Sequence, residues 1–185
     1  FDLDIRQSTS RKSLDGVIRD CAKDVDAIVV AGGDGTVNGA IPALIEAGKP
    51  VGILPFGTAN DLALTLGIPA DPLAAAGVIA AGNLRAIDVG KVNEAHFLNV
   101  ASVGLAVDIA KRQDEQLKRQ WGIFSYVVAT VDTLSAAQRF AATITCGDRS
   151  ERVLAYQVAV GNGIHYGGGL MVSPDARIDD GLLDV

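Results

Sequence analysis

The sharpest chemical signal in this chain is Gly32-Gly33-Asp34-Gly35-Thr36, set between an apolar, β-branched run from Ala27 to Ala31 and a helix-like stretch beginning near Thr36. Glycines let a backbone approach a ligand closely and adopt positive φ where a bend demands it. The unpaired N–H groups at a helix start favour an anion, and phosphate is the usual one. Asp34 would repel that phosphate unless a divalent cation stood between them, and Mg²⁺ takes hard oxygen ligands from carboxylates and nucleotide phosphates alike. Nucleotide plus magnesium is therefore the economical reading. The alternative is a tight strand-to-helix turn with Asp34 or Thr36 as its cap. Two familiar phosphate loops do not fit: no Gly-Lys-Ser/Thr triplet follows, and Gly33, Gly35 and Gly39 are spaced one residue too widely for the dinucleotide fingerprint.

A second stretch, Pro55-Phe56-Gly57-Thr58-Ala59-Asn60-Asp61, also falls just after a strand-like run and before a helix-like one. Thr58 and Asn60 supply hydrogen-bonding groups suited to phosphate or sugar, and Asp61 adds an acid to Asp34. In a parallel sheet both turns emerge at the carboxyl edge, where α/β proteins bind ligands. Asn and Asp are also common helix starters, so each turn alone could be an ordinary cap. Two such turns at one edge make the ligand reading the stronger one.

The elements that must hold these turns alternate. A strand at Ala27–Ala31 leads to a helix from about Thr36 to Ala47, stopped by Gly48. Val51–Leu54 is the next strand, ended by Pro55. A short helix from about Asn60 to Leu66 closes at Gly67, and Asp71-Pro72 opens a helix through Ala81 as N-cap plus first-turn proline. Such βαβα order predicts a parallel sheet. Phe1 to Ile5 has the alternation of a strand. Beyond about Leu84 the pattern turns to strands: Ala86–Val92 and His96–Val103 around Asn93-Glu94, then Ala141–Cys146 and Val153–Val160 around Gly147-Asp148-Arg149. Between them lie a polar stretch, Lys111 to Gln120, and an apolar helix, Ile123 to Ala137. The expected organisation is an α/β nucleotide lobe over residues 1–84 and an antiparallel β-rich lobe over 85–185.

Of the 185 residues, 49% are hydrophobic and 21% charged, which describes a folded rather than a disordered chain. The net charge of −6 argues against nucleic acid as a partner. It leaves room for a local basic patch at a membrane. No apolar run reaches the ~18 residues of a membrane span. Cys21 and Cys146 lack metal-ligand spacing and read as buried free thiols. His96 and His165 read as hydrogen-bonding or solvated groups rather than zinc ligands. Lys111 to Arg119, near Trp121 and Phe124, reads first as a solvated mixed-charge helix face and second as a membrane-facing patch.

Taken together, the two glycine turns resemble the paired signature of the diacylglycerol kinase catalytic domain, a superfamily that includes sphingosine and ceramide kinases and bacterial multi-substrate lipid kinases. The resemblance continues in order through Ile87-Asp88-Val89-Gly90, Phe97 to Gly104, Gly161-Asn162-Gly163, Gly167-Gly168-Gly169, Pro174-Asp175-Ala176 and Asp179 to Val185. It implies a two-lobed kinase in which Gly32, Gly33, Gly35 and Thr36 cradle the ATP phosphates. Thr9, Asn38, Gly57, Thr58 and Asn60 also reach the nucleotide, and Asp34 takes part in Mg²⁺ coordination. Asp34 and Asp61 are the expected catalytic acids, with the general base on the lipid hydroxyl expected beyond Val185. A structural magnesium site is implied at Asp180, completed by backbone oxygens of Arg177 and Leu182; a plain Asp-Gly turn is the alternative there. The family's first strand and its Asn-Pro loop are expected before Phe1. The resemblance further implies a lipid substrate met at the inner face of the membrane by a cytoplasmic, peripherally bound protein, for which a homodimer is admissible. Two rivals stand beside it: an NAD kinase, which shares the Gly-Gly-Asp-Gly turn but fits Gly57–Asp61 poorly, and a catalytically inactive nucleotide- or lipid-binding module.

Overall fold

A computed structural model describes residues 1–104, 138–171 and 173–185. The basic stretch at 111–119 and the helix expected at 123–137 lie outside the described residues. Packing divides the chain into two compact units, one formed by residues 1–100 and 161–184, the other by 101–160 and 185. Relative to the expected boundary near residue 84, the first unit also takes in the stretch to residue 100 and the return at 161–184.

The first unit is built on strands β1 (Ile28–Gly32) and β2 (Val51–Pro55), parallel and in register from Ile28↔Val51 to Gly32↔Pro55. Helix α2 (Asp34–Ala47) connects them. Its Val37, Ala40, Ile41, Ala43 and Leu44 are buried against β1 and against helix α1 (Arg11–Cys21). Burying each of the larger of these side chains is worth about 1.5–3 kcal/mol. Gly48, in the left-handed region at φ 60°, ends α2 as expected. Helix α1 was not anticipated. Ser10 caps it, accepting from the Ser13 N–H while Ser13 returns a bond to the Ser10 backbone, and Leu14 and Ile18 turn inward.

Short helix α3 (Asp61–Thr65) follows β2, and α4 (Pro72–Ala81) is opened by the Asp71 side chain accepting from Ala74 N–H. Strands β3 (Gly90–Val92) and β4 (Ala95–Phe97) form the expected hairpin across Asn93-Glu94, with Asn93 at φ 52°. Both strands are shorter than the sequence pattern implies. Residues 86–89 are a connection whose Asp88 N–H is taken by the Ile178 carbonyl. The first unit also carries the hairpin β9 (His165–Tyr166) and β10 (Leu170–Met171). Phe1 to Ile5 forms no strand, and Phe1, Leu3 and Ile5 are exposed.

In the second unit, β5 (Val100–Gly104) pairs with β8 (Gln157–Gly161), and β6 (Phe140–Cys146) pairs antiparallel with β7 (Arg149–Ala155). Gly147 makes the β6–β7 turn at φ 55°. The mixed α/β architecture, parallel first and β-rich later, follows the sequence pattern. One expectation about thiols is corrected: Cys146 is exposed at the end of β6, and Cys21 is only half-buried.

Candidate active site

Register places the ends of β1 and β2 side by side, so the two glycine turns leave the same sheet edge. The ladder continues past the strands, with Phe56 N–H donating to the Gly32 carbonyl at 3.1 Å. Gly33 and Gly57 then meet face to face. A Cβ on Gly33 would lie 2.8 Å from the Gly57 Cα, and one on Gly57 would fall closer still to Gly33. These two glycines are required by contact with each other. Neither they nor Gly32 and Gly35 adopt positive φ, and Gly33 is extended at φ −94°, ψ −176°.

Helix α2 begins earlier than the sequence suggests, making Asp34, Gly35 and Thr36 its first turn. Thr36 N–H and Val37 N–H both bond the Gly33 carbonyl, whereas the N–H groups of Asp34 and Gly35 lie ahead of the helix's own ladder. A Cβ added to Gly35 would meet nothing within 4 Å. Thr36, Thr58 and Ala59 are exposed, and Asn38 is half-buried one residue beyond Val37. Such a first turn, with two backbone donors unused by its own helix and open space at Gly35, is chemically suited to an anion.

The two acids expected to act here are engaged differently. Asp34 Oδ1 accepts the Leu62 N–H at 3.0 Å, which caps α3 in place of the N-cap residue. No described residue engages its Oδ2, so one oxygen remains for a cation. Asn60, the N-cap of α3, sits at φ 54° and turns its amide back on the loop, accepting from Gly57 N–H and donating to the Gly57 carbonyl, both at 2.8 Å. Its side chain shapes the turn. Asp61 is 6% exposed, and its carboxylate accepts from Gly168 N–H at 3.1 and 3.2 Å and from Gly169 N–H at 2.8 Å. Thr9 is exposed, one residue ahead of the α1 cap.

Two carboxylates close the Asp-Gly turn near residue 180. Asp180 Oδ1 accepts from Leu182 N–H, and Asp88 Oδ2 accepts from Gly181 N–H at 2.6 Å. Asp88, quoted above within Ile87-Asp88-Val89-Gly90 without a role, reaches this turn from the connection at residues 86–89. Arg177 sends its guanidinium to Asp179, leaving its backbone oxygen as the atom it could give a cation. Arg85 pairs with Asp179 as well, and its hydrogen bond holds that carboxyl below the usual carboxylate range, with Arg177 adding to the effect. Carboxylate and carbonyl oxygens are the donor set Mg²⁺ prefers, but no group of three or more acidic, histidine or cysteine side chains gathers here or elsewhere among the described residues.

Asn162, quoted above within Gly161-Asn162-Gly163, was given no role by the sequence. It is 1% exposed, and its side-chain amide donates to the carbonyls of Asp88 and Leu98 while its N–H donates to that of Asn99. A buried amide between two glycines, Gly161 and Gly163, is the signal that could have marked it. His165 bonds Thr65 across 3.4 Å, in keeping with the hydrogen-bonding role expected of it, and the buried Nδ1 of His96 has no partner among the described residues.

Comparison with known proteins bears on the whole arrangement. Residues 1–92 match the family model of the diacylglycerol kinase catalytic domain, and residues 99–185 match that of the YegS C-terminal NAD kinase beta sandwich-like domain. The chain is 36% identical over 170 residues to the probable lipid kinase YegS-like of Klebsiella pneumoniae (strain 342), covering 86% of this chain and 55% of that protein. It is 34% identical over 194 residues to the protein of the same name from Xanthomonas campestris pv. campestris (strain 8004), covering 99% and 63%. The crystal structure of a diacylglycerol kinase from Bacillus anthracis strain Sterne superposes with a TM-score of 0.80 at 33% identity, over 98% of this chain and 60% of that one. The chain thus spans somewhat more than half the length of these relatives. With two consecutive family models covering nearly all of it, and the glycine turns meeting at one sheet edge, the chain belongs to the diacylglycerol kinase catalytic domain superfamily.

Proposed function

We propose that the complete protein is an ATP-dependent lipid kinase that transfers the γ-phosphate to a hydroxyl of diacylglycerol or a related lipid. The observation that carries this reading is the open first turn of α2: the N–H groups of Asp34 and Gly35 lead the helix, and the space above Gly35 is empty. Phosphoryl transfer needs positioning and charge neutralisation more than covalent participation. The backbone donors of 34 and 35, with the Thr36 and Thr58 hydroxyls, would bind phosphate oxygens. Asp34 Oδ2 is the ligand this turn would offer to the Mg²⁺ that accompanies ATP, a cation that would offset charge on the transferring phosphate.

The lipid hydroxyl must give up a proton as it attacks. Asp61 is enclosed by the Gly168 and Gly169 amides, so the acceptor of that proton is sought in another group of the complete protein. A lipid substrate brings the enzyme to a membrane surface. No described helix is long and apolar enough to cross one, so a peripheral contact fits the reading.

The test offers radiolabelled ATP to the complete protein with a panel of hydroxyl-bearing lipids, diacylglycerol among them, in mixed micelles and, separately, with NAD. Magnesium-dependent label in the lipid extract is the expected result. Label moving to NAD, or to neither acceptor, would overturn the proposal.

A further inference from the structure

Asp61 is the most thoroughly enclosed acid in the first unit, and what encloses it is a loop of three glycines. Gly167, Gly168 and Gly169 form the bend between β9 and β10 at φ 64°, 93° and 93°. Only glycine adopts that succession without strain. Three consecutive glycines are also the loosest segment a chain can carry, so holding them in one conformation costs entropy that some specific contact must offset. Hydrogen bonds to a carboxylate are stronger than neutral ones, and Asp61 supplies such contacts to two successive N–H groups of the bend. No ion pair to Asp61 occurs among the described residues, so these amides are what stabilises its buried charge.

The helix that presents Asp61 is tethered at three points. Leu62, the next residue, gives its N–H to Asp34 in the phosphate turn. Thr65, at the far end of α3, bonds His165 at the start of the same hairpin. Adjacent residues of one short helix therefore grip the phosphate turn and the glycine bend. The bend and the carboxylate of Asp34 are thus joined through the adjacent residues Asp61 and Leu62.

We propose that Asp61 is a positioning residue: its carboxylate closes the glycine bend 167–169 and so fixes hairpin β9–β10 and helix α3 as one support for the Asp34 turn. This role differs from that of a catalytic acid or metal ligand, which would need an oxygen facing the reacting groups. It deepens the lipid kinase reading and rests on it for its kinetic consequence, although the clamp itself does not.

The experiment uses the complete protein with Asp61→Asn, Gly168→Ala and the double variant. Asparagine keeps the volume but turns an N–H₂ toward a backbone donor. Alanine at 168 meets no atom within 4 Å yet is strained at φ 93°, so it loosens the bend with Asp61 intact. Each single variant should lower kcat by about tenfold to a hundredfold, the scale of a misplaced catalytic group. The KM for ATP should stay within about twofold, and the double variant should be no slower than the worse single one. Hydrogen–deuterium exchange over residues 165–171 in the nucleotide-free protein should be slow in the wild type and fast in all three variants. Fast exchange in the wild type would overturn the clamp whatever the activity. So would a crippling loss in Asp61→Asn alone with Gly168→Ala unaffected, or lowered Tm with unchanged kcat in both. A wild type that labels no lipid would instead sink the kinase reading, with the exchange data still deciding the clamp.

Discussion

Asp34 carries two duties that a single substitution can separate. One oxygen holds the Leu62 N–H and the other is available to a cation. Asp34→Asn keeps an acceptor for Leu62 and removes the charge, so phosphate transfer by the complete protein should fall by about 10²–10³-fold with Tm near that of the wild type. Asp34→Ala removes the cap too and should cost a further ~1 kcal/mol in denaturant unfolding. Equal Tm values for the two variants would show that the cap contributes nothing. The glycines divide in the same way. At Gly33 a side chain collides with Gly57 backbone, and Gly33→Ala should destabilise by about 1–3 kcal/mol, as overpacking does. At Gly35 the protein leaves room, so Gly35→Ala should keep or slightly raise stability, since alanine is the better helix residue. Its methyl would nevertheless occupy the space proposed for phosphate, so calorimetry should find magnesium·ATP bound more weakly. Undiminished affinity in that variant would remove the phosphate from this turn.

Among the elements, the ends were easier to foresee than the partners. Gly48, Gly67 and the Asp71-Pro72 pair mark helix boundaries because the rules they obey are local: a left-handed cap needs glycine, and a first-turn proline lacks only a donor the helix does not use. The hairpin at Asn93-Glu94 was readable for the same reason. Residues 86–89 were overread as strand because Ile87 and Val89 are β-branched, whereas Asp88 is held by Ile178 from far along the chain. The grip of Asp61 on Gly168 was equally hidden, since 107 residues separate them. Asn60 shows the limit within a single turn. It reads as a cap, and it is the N-cap residue, but its side chain serves Gly57 and its backbone is left-handed. Asn60→Gly should relieve the backbone and lose both bonds, while Asn60→Ala should lose the bonds and add ~1 kcal/mol of left-handed strain. Unfolding by urea should therefore rank wild type above Gly and Gly above Ala. Alanine ranking above glycine would mean that the loop relaxes around the substitution.

At the scale of the whole molecule, the first unit is assembled from two stretches of chain that the second unit separates, residues 1–100 and 161–184. The order of strands and helices made the α/β class readable, but no local pattern announces that the chain returns to its first unit after residue 160. The return is sewn in by Asn162, the first residue past the Gly161–Asp184 bridge. Its amide reaches the carbonyl of Asp88, 74 residues away, and that of Leu98, 64 away, and it is all but inaccessible to water. Removing the amide would leave two carbonyls without that donor in a site water cannot readily reach, at about 1–3 kcal/mol for each unsatisfied group. Asn162→Ala should thus cost about 2–5 kcal/mol in urea unfolding, among the larger single-residue losses available to the molecule. Asn162→Asp has nearly the same shape but at neutral pH sets a carboxylate against carbonyl oxygens, and it should be the less stable of the two. Lowering the pH should narrow that difference, because the introduced carboxyl, once protonated, could again donate one bond. Asn162→Ala within about 0.5 kcal/mol of wild type would place the seam elsewhere, in Ile178 or the Gly161–Asp184 bridge.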